Sequence, residues 1–429
     1  MSNIIEGMES FFGRGAFESK VFADETCCFI GAFGNVGVVK TDEGLILFDI
    51  ALRLFGPRVF QEVRKFSDKP IKYIVYSHGH FDHCLGYAPF IKEIKEKGWE
   101  MPQVIAHENC VRRFEKYRML SKHQLWTYQQ QFASVGVTMT DTESIMGALE
   151  PTIIIKGNES YNFSLSGYNF EIHHDKGETD DSIWMYFKEK KVLFTGDLMV
   201  SSYPNIGSPF RVQRYGKDWA IAMDKMMKKN AEFLLPGHGF LFKGKNDVQD
   251  VLSITAEALN FVHDEVVKRL NQGKWFEQIY NEMLDIYPDK FKNHEFLQPK
   301  YGDYRFAITD VYRLYHGWYD SGNPTDLFPA KSSEVAKELL KIGSIEKYLA
   351  KAKMLYEEGK FQLALHVIDI VIKGSTTASN SLLDAYNLKV KLLKRKVEEE
   401  EGSFIAVNIL KTSMNQLKTN IKELKQELK

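Results

Sequence analysis

Cysteine is scarce. The 429 residues contain four, and no two form a Cys-x-x-Cys pair. Cys27 and Cys28 are adjacent, while Cys84 and Cys110 stand alone. That usage excludes a disulfide framework and fits reduced thiols in a cytoplasmic protein. An excess of one charge is also lacking. Lys and Arg number 56 against 57 Asp and Glu, a net charge of -1, so a nucleic-acid partner has no electrostatic support. No apolar run approaches the roughly eighteen residues that a membrane span needs. The opening segment, "MSNIIEGMESFFGRGAFESKVF", carries Glu6, Glu9 and Glu18 and no basic region leading into an apolar one. No secretory signal is expected there.

What the chain does have is material for cores: 44% of its residues are hydrophobic and 26% charged. Its length points to two or three domains. From about Phe29 to Gly239, β-rich runs alternate with helical stretches. "NVGVVKTDEGLILFDI" (35–50) reads as a hairpin, "FGPRVFQEVRKFSD" (55–68) as a helix, and "IKYIVYS" (71–77) as a strand. Further strands are expected at 103–107, 151–157, 161–175, 181–197 and 231–239. The passages "KTDEGLILFDI" and "KEKKVLFTGDL" are each a turn, an apolar strand and an aspartate, Asp49 and Asp197. They hint at two similar halves of one α/β sandwich. Beyond Asp247 the strand signals stop. Residues 248–286 read as two amphipathic helices, and 301–329 as an aromatic-rich helix with a Gly-Asn-Pro connector. Residues 332–429 read as nearly all helical, with a helical hairpin at 346–373 around Gly359. The Lys/Glu-rich helices at 379–400 and 404–428 present solvated charged faces.

The chemistry concentrates in "SHGHFDH" (77–83). His78, His80, Asp82 and His83 lie within six positions, directly after the strand 71–77. Strand ends in α/β sheets meet at a shared crevice, and Gly79 allows an unusual backbone between the first two histidines. Imidazole and carboxylate suit a borderline divalent ion such as zinc. Four ligands on so short a loop are more naturally divided between two ions, His78 with His80 and Asp82 with His83. A chance cluster is a poor alternative, since the whole chain has 12 histidines. Asp197, at the end of "KVLFTGD", is the candidate bridge. His238, flanked by glycines in "LLPGHG", is a further ligand.

The spacing HxHxDH at 78–83, Gly-Asp at 196–197 and Gly-His at 237–238 resembles the metallo-β-lactamase superfamily, which implies an αββα sandwich with metals at one edge. Where that superfamily usually has Gly-His-Thr, this chain has "KGETDDSIW", so Glu178 stands in for the histidine. His173 and His174 are close by, but consecutive strand residues point to opposite faces, so at most His174 could substitute. A carboxylate ligand leaves manganese or iron somewhat more plausible than usual. Glu178, "GWYDSGNPT" and "AKAKMLYEEGKFQLAL" together resemble the alkyl sulfatases, which join this fold to an α-helical dimerisation domain. Three regions are therefore expected: a metallo-β-lactamase-like catalytic domain over 1–250, a helical connecting region over 251–330, and an all-α dimerisation domain over 331–429. The chain departs from that family in "GETDDS", in having Asp rather than Glu at 197, and in ending too soon for a C-terminal sterol-carrier-like domain.

Carried over by position, the resemblance implies that His78, His80 and Glu178 hold one ion and Asp82, His83 and His238 the other, with Asp197 bridging. Two divalent ions, zinc before manganese or iron, would activate a bridging water for attack on an alkyl sulfate or related ester. Asp82, Arg211 and Tyr301 are the expected catalytic residues. Arg211 or Arg214 would clamp the sulfate. Asp49 and His107 are candidates to orient ligands, a satisfied buried histidine being the simpler reading of His107. Methionine and aromatic residues in 199–219 and 275–320 would line an alkyl channel or simply pack between domains. The other readings are a lactonase or thioesterase on the same water, an oxygen-reducing di-iron protein, and a metal-stabilised scaffold binding a partner through its helical tail. The di-iron reading is disfavoured by His80 and by the lack of a flavin-binding region. Expected partners are a small ester and a second copy of the chain, joined through the C-terminal helices.

Overall fold

A computed structural model of the chain describes residues 17–132, 142 and 146–429. Residues 1–16, part of the segment read for a secretory signal, lie outside them. An antiparallel run opens the described chain: β1 (Ser19–Phe22), β2 (Cys27–Ile30), β3 (Val36–Lys40) and β4 (Leu45–Phe48). β3 and β4 form the expected hairpin. Thr41 Oγ1 donates to the Gly44 carbonyl at 2.8 Å across the turn.

The pairing then becomes parallel, through β5 (Ile71–Val75), β6 (Gln103–His107) and β7 (Ile153–Ile155). Parallel neighbours need crossovers. Helices Gly56–Phe66 and Ala88–Lys97 supply the first two. Helices Glu108–Met119 and Ser121–Gln131 supply the third. Because β4, β5 and β6 run the same way, their C-terminal ends open on one edge of the sheet.

The second sheet has β8 (Tyr161–Leu165), β9 (Tyr168–His174), β10 (Ile183–Phe187), β11 (Val192–Val200), β12 (Phe233–His238) and β13 (Phe242–Lys243), ordered β13-β12-β11-β10-β9-β8. It repeats the logic of the first. β10 and β11 form an antiparallel hairpin, and β12 joins β11 in parallel. The likeness read between the two turn-strand-aspartate passages is therefore structural. β11 runs past Asp197 to Val200, with register shifts on either side of Gly196.

Apolar faces of the two sheets meet in a core that includes Phe29, Phe48, Ile105, Phe170, Met185, Phe194 and Leu235. The outer face of the second sheet is covered by helices Gly216–Met227, Lys245–Leu270, Phe276–Ile286 and Tyr304–Tyr315, around buried Trp184, Trp219 and Tyr312. The two sheets and the helices outside them form an αββα sandwich, followed in the chain by an all-helical region.

The chain divides into two compact units, Met1–Gly317 and Trp318–Lys429. Residues 251–317 thus fall in the first unit. The second unit holds helices Ser332–Gly343, Ile345–Glu357, Phe361–Gly374, Asn380–Glu399 and Phe404–Glu427. Leu349, Ala352, Ala364, Ile368, Ala385 and Leu392 are buried in its core. The turn of its helical hairpin is made by Gly359, at φ +73°, a conformation that glycine adopts at little cost.

Candidate metal centre

The loop after β5 brings His78, His80, Asp82 and His83 inward, all buried. Its backbone is held from below. The Gly79 amide donates to Asp181 Oδ2 at 2.8 Å, and Arg113 Nε donates to Asp181 Oδ1 at 3.0 Å. Gly79 sits in tight packing and not in a left-handed backbone conformation. A Cβ there would lie 3.0 Å from Arg113 Cδ and 3.1 Å from Asp181 Oδ2.

Two groups of ligand atoms result: His78, His80, Glu178 and Asp197 in one, and Asp82, His83 and His238 in the other. Within each group the candidate atoms lie within 4.8 Å of one another. His78 Nε2 and His80 Nδ1 stand 2.8 Å apart and face the same space. Asp197 lies between the groups. Its Oδ2 is 3.9 Å from His78 Nε2, and its Oδ1 is 3.3 Å from both His83 Nε2 and His238 Nε2.

Two glycines make that position accessible. A Cβ on Gly237 would fall 2.0 Å from Asp197 Oδ1, and one on Gly196 would fall 2.3 Å from Ser77 Cβ. Gly196 is also at φ +51°, where side chains are strained.

Asp49 orients one ligand of each group. His83 Nδ1 donates to Asp49 Oδ2 at 2.7 Å. Ser77 Oγ donates to the same oxygen at 2.7 Å and accepts from His78 Nδ1 at 2.9 Å. Both imidazoles are thereby fixed with Nε2 as the inward atom. His107 does not share this role. It stacks on His174 at 3.8 Å, and its Nε2 donates to the Gly157 carbonyl at 2.8 Å. His174 Nε2 donates to the Asp180 carbonyl at 3.0 Å, and His173 pairs with Ser160 and Glu171, so neither replaces Glu178.

Glu178 has divided oxygens. Oε1 accepts from Asn205 Nδ2 at 3.0 Å and from the buried Arg214 guanidinium. Oε2 faces His78 Nε2 at 3.9 Å. Arg214 also donates to the Asn205 carbonyl, so one of the two arginines expected to clamp the sulfate is committed to the candidate ligand Glu178. Asn205 was not legible as a site residue. It sits in "SSYPNIGSP", where no periodicity or motif marks it.

The electrostatics fit cation binding. Glu178 Oε2, both Asp197 oxygens and His83 Nε2 are buried without a hydrogen bond of ordinary geometry. Groups so placed call for a compensating charge. Burial, with His83 adding to it, lowers His78 to about 4, and burial holds His80 well below the usual imidazole value. For His238, burial is outweighed by Asp197 and Asp82, which raise it to about 9. Burial raises Glu178 to about 8 against the pull of Arg214. A donor set of imidazoles and carboxylates matches divalent transition ions.

Arg211 and Tyr301 border the same recess as His80, Asp82 and Glu178. The Tyr301 ring lies 5.3 Å from that of His238, and the Arg211 guanidinium lies 5.9 Å from the Phe132 ring. Burial and the nearby Glu178, Asp197 and Asp82 hold the Tyr301 hydroxyl well above its ordinary value, so it stays protonated. Of the two readings for 199–219 and 275–320, packing applies to Met199, Trp219, Ile279 and Tyr312, which are core residues.

Comparison with known proteins agrees with the geometry. Residues 30–238 match the family model for the metallo-beta-lactamase superfamily, and residues 276–420 match that for alkyl sulfatase dimerisation. The chain is 27% identical over 353 residues to a linear primary-alkylsulfatase of Pseudomonas sp., covering 78% of this chain and 66% of that one. It is 24% identical over 361 residues to the alkyl/aryl-sulfatase BDS1 of Saccharomyces cerevisiae, covering 79% and 55%. The solved structure of the stereoselective inverting sec-alkylsulfatase Pisa1 from Pseudomonas sp. shares the fold, with a TM-score of 0.78 at 19% identity over 91% of this chain and 64% of that one. The chain thus spans two-thirds or less of the length of these relatives.

Proposed function

We propose that this chain, a metallo-beta-lactamase superfamily domain followed by an alkyl sulfatase dimerisation region, is a dinuclear metal-dependent hydrolase of alkyl sulfate esters. The observation that carries the reading is Asp197, with one oxygen toward His78 and the other toward His83 and His238. His78, His80 and Glu178 would hold one cation, Asp82, His83 and His238 the other, and Asp197 would touch both. Zinc suits this donor set best. Bound there, the cations would lower the pKa of an adjacent water and offset charge on the departing sulfate.

The chain's own groups would do the rest. Arg211, free of any carboxylate partner among the described residues, would bind the sulfate oxygens and hold the ester against the centre. Tyr301 would donate its hydroxyl proton in a hydrogen bond to developing negative charge. Phe33, Phe81, Tyr128 and Phe132 border the recess and would limit water there. The dimerisation region supports a homodimer. Buried, unbridged Cys27, Cys28, Cys84 and Cys110 support a reducing, cytoplasmic setting. No described helix is long and apolar enough to cross a membrane.

The test is sulfate release from dodecyl sulfate by the zinc-loaded protein, alongside a lactone and a thioester. Sulfate release that disappears in Asp82→Ala and His238→Ala is expected. Hydrolysis of the lactone or thioester with no sulfate freed would replace this reading with a carboxylic-ester one.

A further inference from the structure

Beside the ligand groups the first unit opens a cleft of about 280 Å³ whose walls include His80 and Glu178. An alkyl tail would call for an apolar cleft. This one is mixed, with Tyr117, Phe210, Val212 and Tyr215 among its walls and an excess of cationic side chains. Arg112, Arg113, Lys116, Arg211 and Arg214 line it, against the carboxylates of Glu178 and Asp180.

Several of these charges are already matched. Arg214 is paired with Glu178, and Arg113 with Asp180 and Asp181. Arg112 reaches Glu108 at 2.8 Å. Arg211 and Lys116 have no carboxylate within ion-pair distance among the described residues. Arg211 borders the metal-side recess as well as the cleft, so a single sulfate accounts for it.

Lys116 is left over. On the helix Glu108–Met119, positions 109, 112, 113 and 116 share one face. Arg113 touches the metal loop, its Cδ 3.0 Å from where a Gly79 Cβ would stand. Lys116 lies three residues further along, about 4.5 Å of helix rise. Asn109 and Gln124 add polar groups to the same walls.

We infer that the cleft binds a second anionic group on the part of the substrate that becomes the alcohol, with Lys116 as its recognition residue and Arg112 at its side. The preferred substrate is then a sulfate ester that also carries a carboxylate or similar anion. The inference rests on the sulfatase reading for the reacting end alone.

Binding separates the two claims. Isothermal titration of the zinc-loaded full chain compares hexyl sulfate with the sulfate ester of ω-hydroxyhexanoate, in the wild type and in Lys116→Glu. The dianion should bind at least about ten-fold more tightly, the equivalent of one charge-assisted hydrogen bond. Lys116→Glu should close that gap. Equal binding of the two ligands, or a gap that survives Lys116→Glu, overturns the inference. If the dianion binds more tightly through Lys116 but neither ester releases sulfate, the sulfatase reading fails and the anion subsite stands.

Discussion

Asp49 Oδ2 accepts a hydrogen bond from His83 Nδ1 at 2.7 Å, while Asp49 Oδ1 accepts the Ser77 amide, also at 2.7 Å. Asp49 is at φ +62°, an uncommon conformation for a residue with a side chain. Its neighbours hold it there, and through Ser77 it reaches His78 as well.

Replacing that carboxylate with an amide should weaken metal binding without unfolding the protein. Asp49→Asn is expected to lower zinc affinity about 10- to 100-fold. Chelator competition measures this directly, with the melting curve as the control for folding. Because Asp49 steadies a ligand in each group, both zinc ions should weaken. Loss of only one would contradict the relay through Ser77.

The Glu178–Arg214 pair offers a second test. Glu178→Ala removes a proposed ligand and strands a buried guanidinium. Zinc content should fall from two to one per chain, and stability by about 3–5 kcal/mol in urea titrations. Adding Arg214→Met should recover part of the stability and none of the zinc. Two zinc ions retained in Glu178→Ala would remove Glu178 from the ligand set.

Gly237→Ala probes the approach of β12 to Asp197. The added methyl meets Gly196 carbonyl carbon at 2.6 Å and the Asp197 amide nitrogen at 2.7 Å, backbone atoms that no rotamer change can move. A loss of about 1–3 kcal/mol is expected, together with loss of the cation at Asp197. A variant with normal zinc content would mean that β12 yields more easily than the packing implies.

Asp310 gives the protein a pH signature away from the ligands. Burial raises its carboxyl to about 7, with Arg214 opposing. The folded state therefore keeps a proton that the unfolded state releases. The associated stability is complete below pH 3.8 and is lost as pH rises through about 7. Asp310→Asn should flatten the fall in urea stability between pH 5 and pH 8. An unchanged slope would assign it to other groups.

Much of this centre could be read from residue order. His78, His80, Asp82 and His83 were legible because metal chemistry restricts ligands to few residue types, and the apolar strand before them fixes where they emerge. Glu178 was legible only through resemblance, since nothing in "KGETDDS" has a period. Its partners Asn205 and Arg214 come from a separate loop, and such a contact leaves no local trace. The helix Glu108–Met119 escaped notice for a different reason. Its inward face is Cys110, Arg113, Phe114 and Tyr117, and a buried arginine breaks the apolar stripe that marks a helix. The helix Ser121–Gln131 buries Thr127, Tyr128 and Gln131, which show no apolar stripe at all.

The two hairpins β3–β4 and β10–β11 deliver an aspartate to corresponding places, Asp49 and Asp197. One has its oxygens occupied by Ser77 and His83, and the other has both open toward the histidines. What separates the two carboxylates is what stands beside them: the Ser77 amide and hydroxyl with His83 beside Asp49, bare glycine backbone beside Asp197. The same side chain, presented twice by one repeated piece of architecture, is saturated by the Ser77 amide, the Ser77 hydroxyl and His83 in one place and left with both oxygens uncommitted in the other.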